Sequence, residues 1–388
     1  MVLKRFNIRE VNMQKKLSNR IVGGTVFFVV LCVLFFCGKS QANTTGKETK
    51  EAVSSTDSCS TEDITKFTIQ GNDLTAEEVN TLEGQLVHEP NDLVSRAKLL
   101  GFYSFARINS EQAKNSYQRH ALWIIENKPE TEIASGGFTS FNPIIDGEAF
   151  FQARKLWLQQ VDKNPDNAAI IGNAATFFLI HDSNKAEQLF KKAQSLEPKN
   201  PKWSQALAHL YELSSFNRTP SEQSVNAQKA LEEMEKSLAL VPSEIQKFYM
   251  LDDLAKFAYE AGYLNKAESY AKEILLLAPK YPKDWNYGNA IHHSNIILGR
   301  IALTKGDIEA AKNHLIEAGK TPGSPQLNSF GPNMTLAKEL LDKNEIQVVL
   351  SYFELCGKFW KNGEKKLQEW SALIKGGQTP DFGANLKY

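Results

Sequence analysis

The sequence predicts an all-α protein. From about Leu74 to Ile374, apolar residues recur at spacings of three and four, the periodicity of amphipathic helices. Prolines fall between these segments rather than inside them, and the alternating pattern of a β-strand is almost absent. The chain has 388 residues, of which 42% are hydrophobic, so it can build a core either as two domains or as one elongated array.

The first element is an apolar run of 17 uncharged residues, 21–37. A strongly cationic segment precedes this run, and only Glu10 opposes its charge. A cationic flank before an apolar run is typical of a signal peptide or a signal anchor, so we expect the chain after Gly38 to be exported. The flanking cations are Lys4, Arg5, Arg9, Lys15, Lys16 and Arg20.

Three fates of this leader, residues 1–42, remain open. The triplet Ser40-Gln41-Ala42 permits cleavage after Ala42. Alternatively, the run stays in the membrane as an anchor, because 17 residues reach the lower limit of a membrane span. A bacterial lipoprotein with Cys37 lipidated is the third option, although Phe36 is bulky where a small residue is expected. The predicted location is periplasmic, cell-surface or secreted, or anchored with the C-terminal domain outside the cytoplasm.

The next segment, residues 43–70, is predicted to be a flexible linker. Lys39 to about Asp63 is rich in Ser, Thr, Lys and Glu, and Val53 is its only large apolar residue before the helical part. Such a composition cannot bury enough surface to offset the entropy of ordering. The segment would either tether a domain to the membrane or form a mobile mature N-terminus.

The helical body contains a repeated pattern, and residues 167–200 show it best. The first helix of this 34-residue unit places Ala174 and Phe177 on one face, and the second places Ala186 and Phe190 on another. Small residues let two helices approach closely, aromatic residues fill the groove between them, and Pro198 ends the unit.

The same spacing recurs in three further units and, less regularly, in a fourth. About ten extra residues, around 214–222, lengthen the loop of the first of these. The matching positions are Leu207, Ala208, Tyr211, Ala230, Met234 and Ser237; Leu254, Ala255, Ala258, Ala267, Ala271 and Ile274; Leu298, Gly299, Ala302, Gly306, Ala311, Leu315 and Ala318; and Ala337, Leu340, Val349, Phe353 and Cys356.

This pattern resembles the tetratricopeptide repeat, whose period is 34 residues. The resemblance covers residues 71–361, is weaker before residue 167, and is interrupted by a Gly- and Pro-containing stretch, 135–147, that we expect to be irregular. It implies a right-handed α-solenoid in which neighbouring hairpins stack. Residues 362–388 are predicted to be a capping helix, with Leu367, Trp370 and Leu373 on its apolar face, and a tail that either folds back or is disordered.

The resemblance also implies a concave surface lined by the first helix of each unit. Projecting the repeat onto the sequence places polar and aromatic residues there, together with Gln205 and Ile296. Repeats of this family that grip a C-terminal carboxylate use cations in two rows, and here one row carries Asp252 and Ile296, so that activity is not implied. The candidate binding residues are Lys202, His209, Glu212, Tyr249, Asp252, Lys256, Tyr259, Trp285, His293 and Arg300.

Catalytic, metal and nucleic-acid signals are weak or absent. The sequence contains no HExxH, GxSxG, P-loop or CxxC motif, so we predict neither an enzyme nor a cofactor or metal site. His292 and His293 are adjacent on a helix and therefore point to different faces, which makes a poor metal pair. Cys356 is expected to be a small core residue. The leader carries a net charge of +6 and the remainder −6, which argues against nucleic acid as a partner.

Two classes of function fit these observations, and a third is less favoured. The first is an exported or membrane-anchored interaction module that binds a protein or peptide through its concave face. The second is a cell-surface protein that binds a glycan or another small ligand, because Trp285 and Tyr287 lie close to His292 and His293 and could stack on sugar rings. The third is an enzyme built on a helical array.

Overall fold

A computed structural model describes residues 61–216 and 218–386, and this part of the chain is entirely helical. The described ranges contain 17 α-helices and no β-strand, and 75% of the residues are helical. The all-α prediction is therefore confirmed. The predicted leader, 1–42, lies outside the described residues. None of the helices in the described part is both long enough and apolar enough to cross a membrane.

The contacts divide the chain into two compact units after Glu197. The described residues of the first, 61–197, are called the N-terminal unit here, and consecutive helices within it pack against one another. Its helices are α1 (Thr61–Gln70), α2 (Ala76–His88), α3 (Leu93–Ala106), α4 (Glu111–Asn127), α5 (Glu148–Lys163), α6 (Ala168–Phe178) and α7 (Ser183–Leu196).

Side-chain caps fix where most of these helices begin. Thr75 forms a capping box with Glu78, in which each side chain accepts a hydrogen bond from the other residue's backbone N–H. Asp92 accepts hydrogen bonds from two backbone N–H groups at the start of α3, and Asp182 caps α7 in the same way. These caps satisfy helix-end donors that have no partner within the helix.

Helix α1 occupies the last ten residues of the segment, 43–70, for which the sequence predicts a linker. It is ordered because Ile64 and Thr68 are buried. Gly101 of α3 makes this possible, since a Cβ at that position would lie only 1.8 Å from the carbonyl oxygen of Thr68. The close approach of the two backbones depends on a residue more than 30 positions away, which local composition does not reveal.

The predicted irregular stretch before α5 contains no α-helix. Between Asn127 and Glu148 the described chain forms two short 3₁₀ turns, Glu132–Ala134 and Gly137–Thr139. Asn173 of α6 holds both the start of this stretch and the segment before it: its Oδ1 accepts from Ser135 Oγ at 2.9 Å, and its amide nitrogen donates to the carbonyl oxygens of Pro129 and Thr131 at 2.8 and 2.9 Å. The stretch is thus irregular, as expected, but well tied to its neighbours.

The second unit, residues 198–386, is called the C-terminal unit. It too is built from consecutive helices in mutual contact. Its helices are α8 (Pro201–Leu213), α9 (Pro220–Leu240), α10 (Glu244–Glu260), α11 (Leu264–Leu277), α12 (Tyr287–Thr304), α13 (Ile308–Gly319), α14 (Pro325–Phe330), α15 (Thr335–Leu341), α16 (Ile346–Cys356) and α17 (Glu364–Lys375).

Nearly all of the repeated positions are buried, so the predicted helix register is correct. Alanines at the expected helix contacts are completely inaccessible, for example Ala186 and Ala267. Phe177 and Ala302 are only partly buried, and Gly306, with a φ of 82°, is exposed in the turn after α12. Cys356 is fully buried, as expected for a core residue.

The loop between α8 and α9 is shorter than the sequence predicts. Helix α9 already begins at Pro220, where Thr219 forms a capping box, so part of the expected loop extension is helical. The loop 323–334 contains the short helix α14. Its path brings the backbone of Gly323 close to Gly288 of α12, where an added Cβ would lie 1.8 Å from the Gly323 carbonyl oxygen.

The C-terminal segment packs on the end of this unit. In α17, Leu367 and Trp370 are buried as predicted, but Ile374 is buried in place of Leu373. The tail folds back in its described part, because Phe382 is buried with its ring 4.9 Å from that of Trp370. Asn385 then donates to the carbonyl oxygens of Phe330 and Pro332, and its own carbonyl accepts from Met334 N–H.

Candidate functional site

The ten candidate residues all lie in the C-terminal unit, on three helices and one loop. Helix α8 carries Lys202, His209 and Glu212, helix α10 carries four of them, and helix α12 carries His293 and Arg300. Nine of the ten contact another member of the set, and Lys202 stands apart, with its ammonium 5.1 Å from the ring of its neighbour Trp203. The contacts that join the nine are His209–Glu212, Glu212–Lys256, Asp252–His293, Tyr249–Trp285 and Tyr259–Arg300.

An ion pair joins α8 to α10. Lys256 Nζ donates to Glu212 Oε1 at 2.5 Å, and His209 Nδ1 lies 3.4 Å from the other oxygen of the same carboxylate. Each of these side chains keeps a quarter to a third of its surface accessible. Burial opposes ionisation of Glu212, but Lys256 and His209 outweigh it and lower the pKa of this carboxyl. Burial likewise opposes the charge on Lys256, but Glu212 dominates and raises its pKa.

Two further carboxylates crowd this ion pair, and sequence reasoning missed both. Neither Asp253 nor Glu260 lies within ion-pair distance of a cation in the described ranges. Desolvation, together with repulsion from Glu212 and Asp252, raises the pKa of Asp253 to about 6, although His209 and Lys256 offset part of the effect. Desolvation and Glu212 raise the pKa of Glu260 as well, even though part of this residue is exposed to solvent. Both carboxylates would therefore gain from an additional cation.

A second set of contacts joins α10 to the start of α12. His293 Nδ1 lies 2.5 Å from Asp252 Oδ2. Tyr249 stacks on Trp285, with ring centroids 5.4 Å apart, and its hydroxyl donates to Asp284 Oδ2 at 2.7 Å. Burial and the acceptor Asp284 raise the pKa of Tyr249 to about 12, so the phenol stays a neutral donor. This half-buried aromatic pair borders the carboxylates.

Arg300 is held on both sides. Its guanidinium lies 4.3 Å from the centre of the Tyr259 ring. Its Nε donates to Glu339 Oε1 at 2.9 Å, and its Nη2 lies 2.8 Å from the same oxygen in an ion pair. Because Lys256 is paired with Glu212, both cations of the predicted row already have carboxylate partners. Among the described residues, neither cation of this row is therefore left for a C-terminal carboxylate.

One predicted neighbour does not belong to this surface. Ile296, which the repeat projection places beside His293, is only 2% exposed and contributes to the core. The prediction for Ile296 is wrong because α12 is buried on more than one face. The adjacent histidines do diverge: His292 is fully buried and accepts from Asn333 N–H, whereas His293 contacts Asp252.

We call this surface the charged face; it combines the nine connected residues, the carboxylates beside them, and Lys202 on the same helix as His209 and Glu212. It carries six carboxylates and three permanent cations, hence a formal charge of −3 when both histidines are neutral. Of these groups, the sequence analysis did not include Asp253, Glu260, Asp284 and Glu339. Helical spacing on α10 could have revealed the first two, since Asp253 follows Asp252 and Glu260 lies four residues after Lys256. The charged face comprises Lys202, His209, Glu212, Tyr249, Asp252, Asp253, Lys256, Tyr259, Glu260, Asp284, Trp285, His293, Arg300 and Glu339.

The chemistry of the charged face is that of an ion-pair network with surplus acid. Shifted pKa values occur both at catalytic centres and in such networks. Here Lys256 is paired with Glu212 and Arg300 is paired with Glu339, so neither cation is poised for proton transfer. Within the described ranges, no group of three His, Cys, Asp or Glu side chains is arranged to hold a metal ion.

Comparisons with known proteins give no guide to the chemistry. No protein-family model matches the sequence, and no curated protein matches it. The function must therefore be argued from the charged face itself.

Proposed function

We propose that this protein is a tetratricopeptide-like interaction module, exported and held at or near a membrane by residues 21–37, that binds a protein segment through the charged face. The helical hairpins with alanines at their contacts support the first part of this proposal, since hairpin arrays present side chains of successive helices on one surface. The cationic flank of the apolar run supports the second.

The preferred partner is a cationic, extended segment. The observation that carries this choice is that no cation of the described residues lies close to Asp253 or Glu260, while Lys256 and Arg300 are already paired. Desolvation and, to a smaller extent, repulsion from Glu212 raise the pKa of both carboxyls, and an incoming Arg or Lys would offset these effects by pairing with the carboxylates. The stacked pair Tyr249–Trp285 lies at the same surface and offers apolar area beside the charges.

Fluorescence anisotropy with a short labelled Arg- and Lys-rich peptide tests the proposal. Replacing two carboxylates, Asp253→Asn with Glu260→Gln, should weaken binding by about tenfold or more. A matched control removes two exposed carboxylates of the same unit outside the charged face, Glu354→Gln with Glu369→Gln, and should leave binding within about twofold. Equal binding by both double variants, or equal binding of a Glu-rich peptide, would refute the proposed surface.

Glycan binding is the second candidate, favoured by the partly accessible stack of Tyr249 on Trp285. Sugar rings bind to aromatic faces, and Asp284 and Asp252 lie close enough to accept hydrogen bonds from hydroxyl groups. This hypothesis predicts glycan-array binding that is lost in Trp285→Ala and retained in the variant lacking Asp253 and Glu260. Binding that persists in Trp285→Ala would remove this site from consideration.

A further inference from the structure

A second surface, on the N-terminal unit, is apolar rather than charged. Six large apolar side chains there are each 55–66% exposed. At that exposure they present on the order of several hundred Å² of apolar surface, more than isolated surface residues normally do. We call this surface the apolar tip, and it consists of Phe105, Ile108, Ile144, Ile145, Phe151 and Ile180.

The topology places all six at the same end of the N-terminal unit. Phe105 and Ile108 lie where α3 turns into α4, Phe151 lies in the first turn of α5, and Ile180 follows α6. Helices α3 and α6 end at this level, and α4 and α7 start there. Helix α5 starts there as well, because the irregular stretch before it carries the chain back along α4. The tip is therefore made of helix ends and loops, which project from the unit rather than line a groove.

Specific contacts hold these elements together. Arg107 Nη1 and Tyr117 Oη donate to the carbonyl oxygen of Ser140 at 3.2 and 2.8 Å, so the loop lies against the α3–α4 turn. On the other side, the ring of Phe150 lies 5.1 Å from that of His181, in the turn after α6. These contacts join the two turns and the loop between them into one edge.

The loop that carries Ile144 and Ile145 is hydrogen-bonded both internally and to α4. The Asn142 side chain accepts from the backbone N–H groups of both isoleucines, at 2.8 and 3.2 Å. Buried Asp146 accepts from Asn142 N–H and from the Gln118 amide, which fixes the loop to α4. Two adjacent isoleucines are thus held outward by a network of hydrogen bonds, and no rearrangement is needed for them to contact a partner.

We propose that the apolar tip inserts into the surface of the lipid bilayer that holds residues 21–37. The inference uses the anchor of the proposed function and does not depend on its protein partner. Only 23 residues, 38–60, separate the apolar run from α1. A chain of 23 residues cannot span more than roughly 80 Å even when fully extended, so it keeps the N-terminal unit close to the membrane.

Lipid explains the composition of the tip better than a protein partner does. Its members are Ile and Phe, which partition well into the acyl boundary, and they protrude on turns instead of forming a pocket for anchor residues. The exposed charges nearest in sequence include the acids Glu111 and Glu148, so an anionic headgroup is not what the tip selects. Binding driven by apolar contact requires only proximity to the membrane, which the short tether supplies.

Site-directed spin labelling of the full chain in phosphatidylcholine vesicles tests this proposal. One variant carries the label at Ile145→Cys, a second at native Cys32 in the apolar run, and each lacks the other cysteines. A matched control labels Leu276→Cys, an exposed apolar residue of α11 in the C-terminal unit. We expect collisions with oxygen to exceed those with a water-soluble nickel complex at positions 145 and 32, and the reverse at 276.

The outcomes separate the parts of the argument. A lipid-exposed label at 32 with a water-exposed label at 145 overturns the apolar tip while leaving the anchor in place. Spin–spin broadening at 145 that disappears on dilution with unlabelled chain shows a second copy as the occupant and also overturns the proposal. Because the cationic-peptide assay reports on the other unit, failure of the peptide assay and failure of the labelling assay are distinguishable.

Discussion

His292 is a buried base in the C-terminal unit that stays neutral at ordinary pH. Its Nδ1 donates to the carbonyl oxygen of Ala318 at 3.1 Å, and its Nε2 accepts from Asn333 N–H at 3.0 Å. Burial, with a smaller contribution from His293, lowers its pKa to about 3. The neutral ring therefore joins α12 to the end of α13 and to the loop before α15.

The lowered pKa of His292 predicts that the protein loses stability in mild acid. Between pH 6.5 and 3 the unfolded chain binds a proton that the folded one does not, so the free energy of unfolding falls by about 1.4 kcal/mol per pH unit. His292→Phe should be less stable at pH 7.5, since two buried backbone groups lose their partner. Between pH 6.5 and 5, the free energy of unfolding of the variant should fall by about 2 kcal/mol less than that of the parent. Urea titrations at these pH values measure the difference, and identical pH slopes would exclude His292 as the cause.

We expect the charged Asp253 side chain to lower the free energy of unfolding while it contributes to binding. Its pKa is raised to about 6, above the ordinary value of 3.8, so the fold favours the protonated form and the charged form is destabilising above pH 6. Asp253→Asn should therefore raise the free energy of unfolding by about 1–2 kcal/mol at pH 8, with solvent screening taken into account. The gain should vanish at pH 4, where the folded parent is itself protonated.

Thermal or urea unfolding of Asp253→Asn at the two pH values gives this comparison directly. A more stable protein that binds a cationic peptide less well would be the pattern of a residue kept for function. Reduced stability at pH 8 would instead mean that the carboxylate has a favourable partner in the fold.

At the scale of elements, the contact of α1 with α3 depends on one glycine. A Cβ on Gly101 would lie 1.8 Å from the carbonyl oxygen of Thr68, which is backbone and cannot rotate away. Gly101→Ala should therefore force the helices apart and cost about 1–3 kcal/mol. Gly84→Ala is the matched control, because a Cβ at Gly84 in α2 meets nothing within 4 Å, and it should stabilise by about 0.5–1 kcal/mol.

Hydrogen exchange of the segment 61–70 in the two glycine variants gives the most local measurement. Faster exchange there in Gly101→Ala alone would agree with detachment of α1. Equal and small effects of both substitutions would show that α1 is not held by this approach.

These elements show what the sequence can and cannot predict. Helix register was predictable because alanine and aromatic residues repeat at positions that local geometry places on one face, and Ala186 and Ala267 are indeed inaccessible. The formation of helix α1 was not predictable, since its burial depends on Gly101, far along the chain. The contacts of Glu339 could not be predicted either, because it belongs to the least regular repeat and reaches Arg300 across 39 residues.

At the scale of the whole molecule, charge is distributed unevenly. The total of zero combines +6 in residues 1–42 with −6 in the rest. The charged face accounts for a formal −3 of the latter, so half of the acidic surplus lies around Asp253 and Glu260, which form no ion pair with the described cations. A cationic segment would thus be attracted by both the long-range field and the local site, and its binding should weaken as salt is added.

The last helices of the C-terminal unit determine whether its apolar cluster stays covered. A stack of helical hairpins always has a terminal apolar face, and such a face must be capped for the protein to remain soluble. Here α17 and the folded-back tail provide the cover, with Phe382 placed against Trp370 and, at 6.2 Å between ring centroids, against Phe353. Asn385 secures the tail through hydrogen bonds to the carbonyl oxygens before α15.

Removing the ring of Phe382 should therefore open the end of the molecule. Phe382→Ala is expected to cost about 3–5 kcal/mol, as for other large buried aromatic residues, while Leu373→Ala, which removes a partly exposed side chain of α17, should cost less than about 1 kcal/mol. Hydrogen exchange should increase in 346–386 and remain unchanged in 61–197. Exchange that stays slow throughout 346–386 in Phe382→Ala would mean that α17 alone covers this end of the C-terminal unit and that the tail is dispensable.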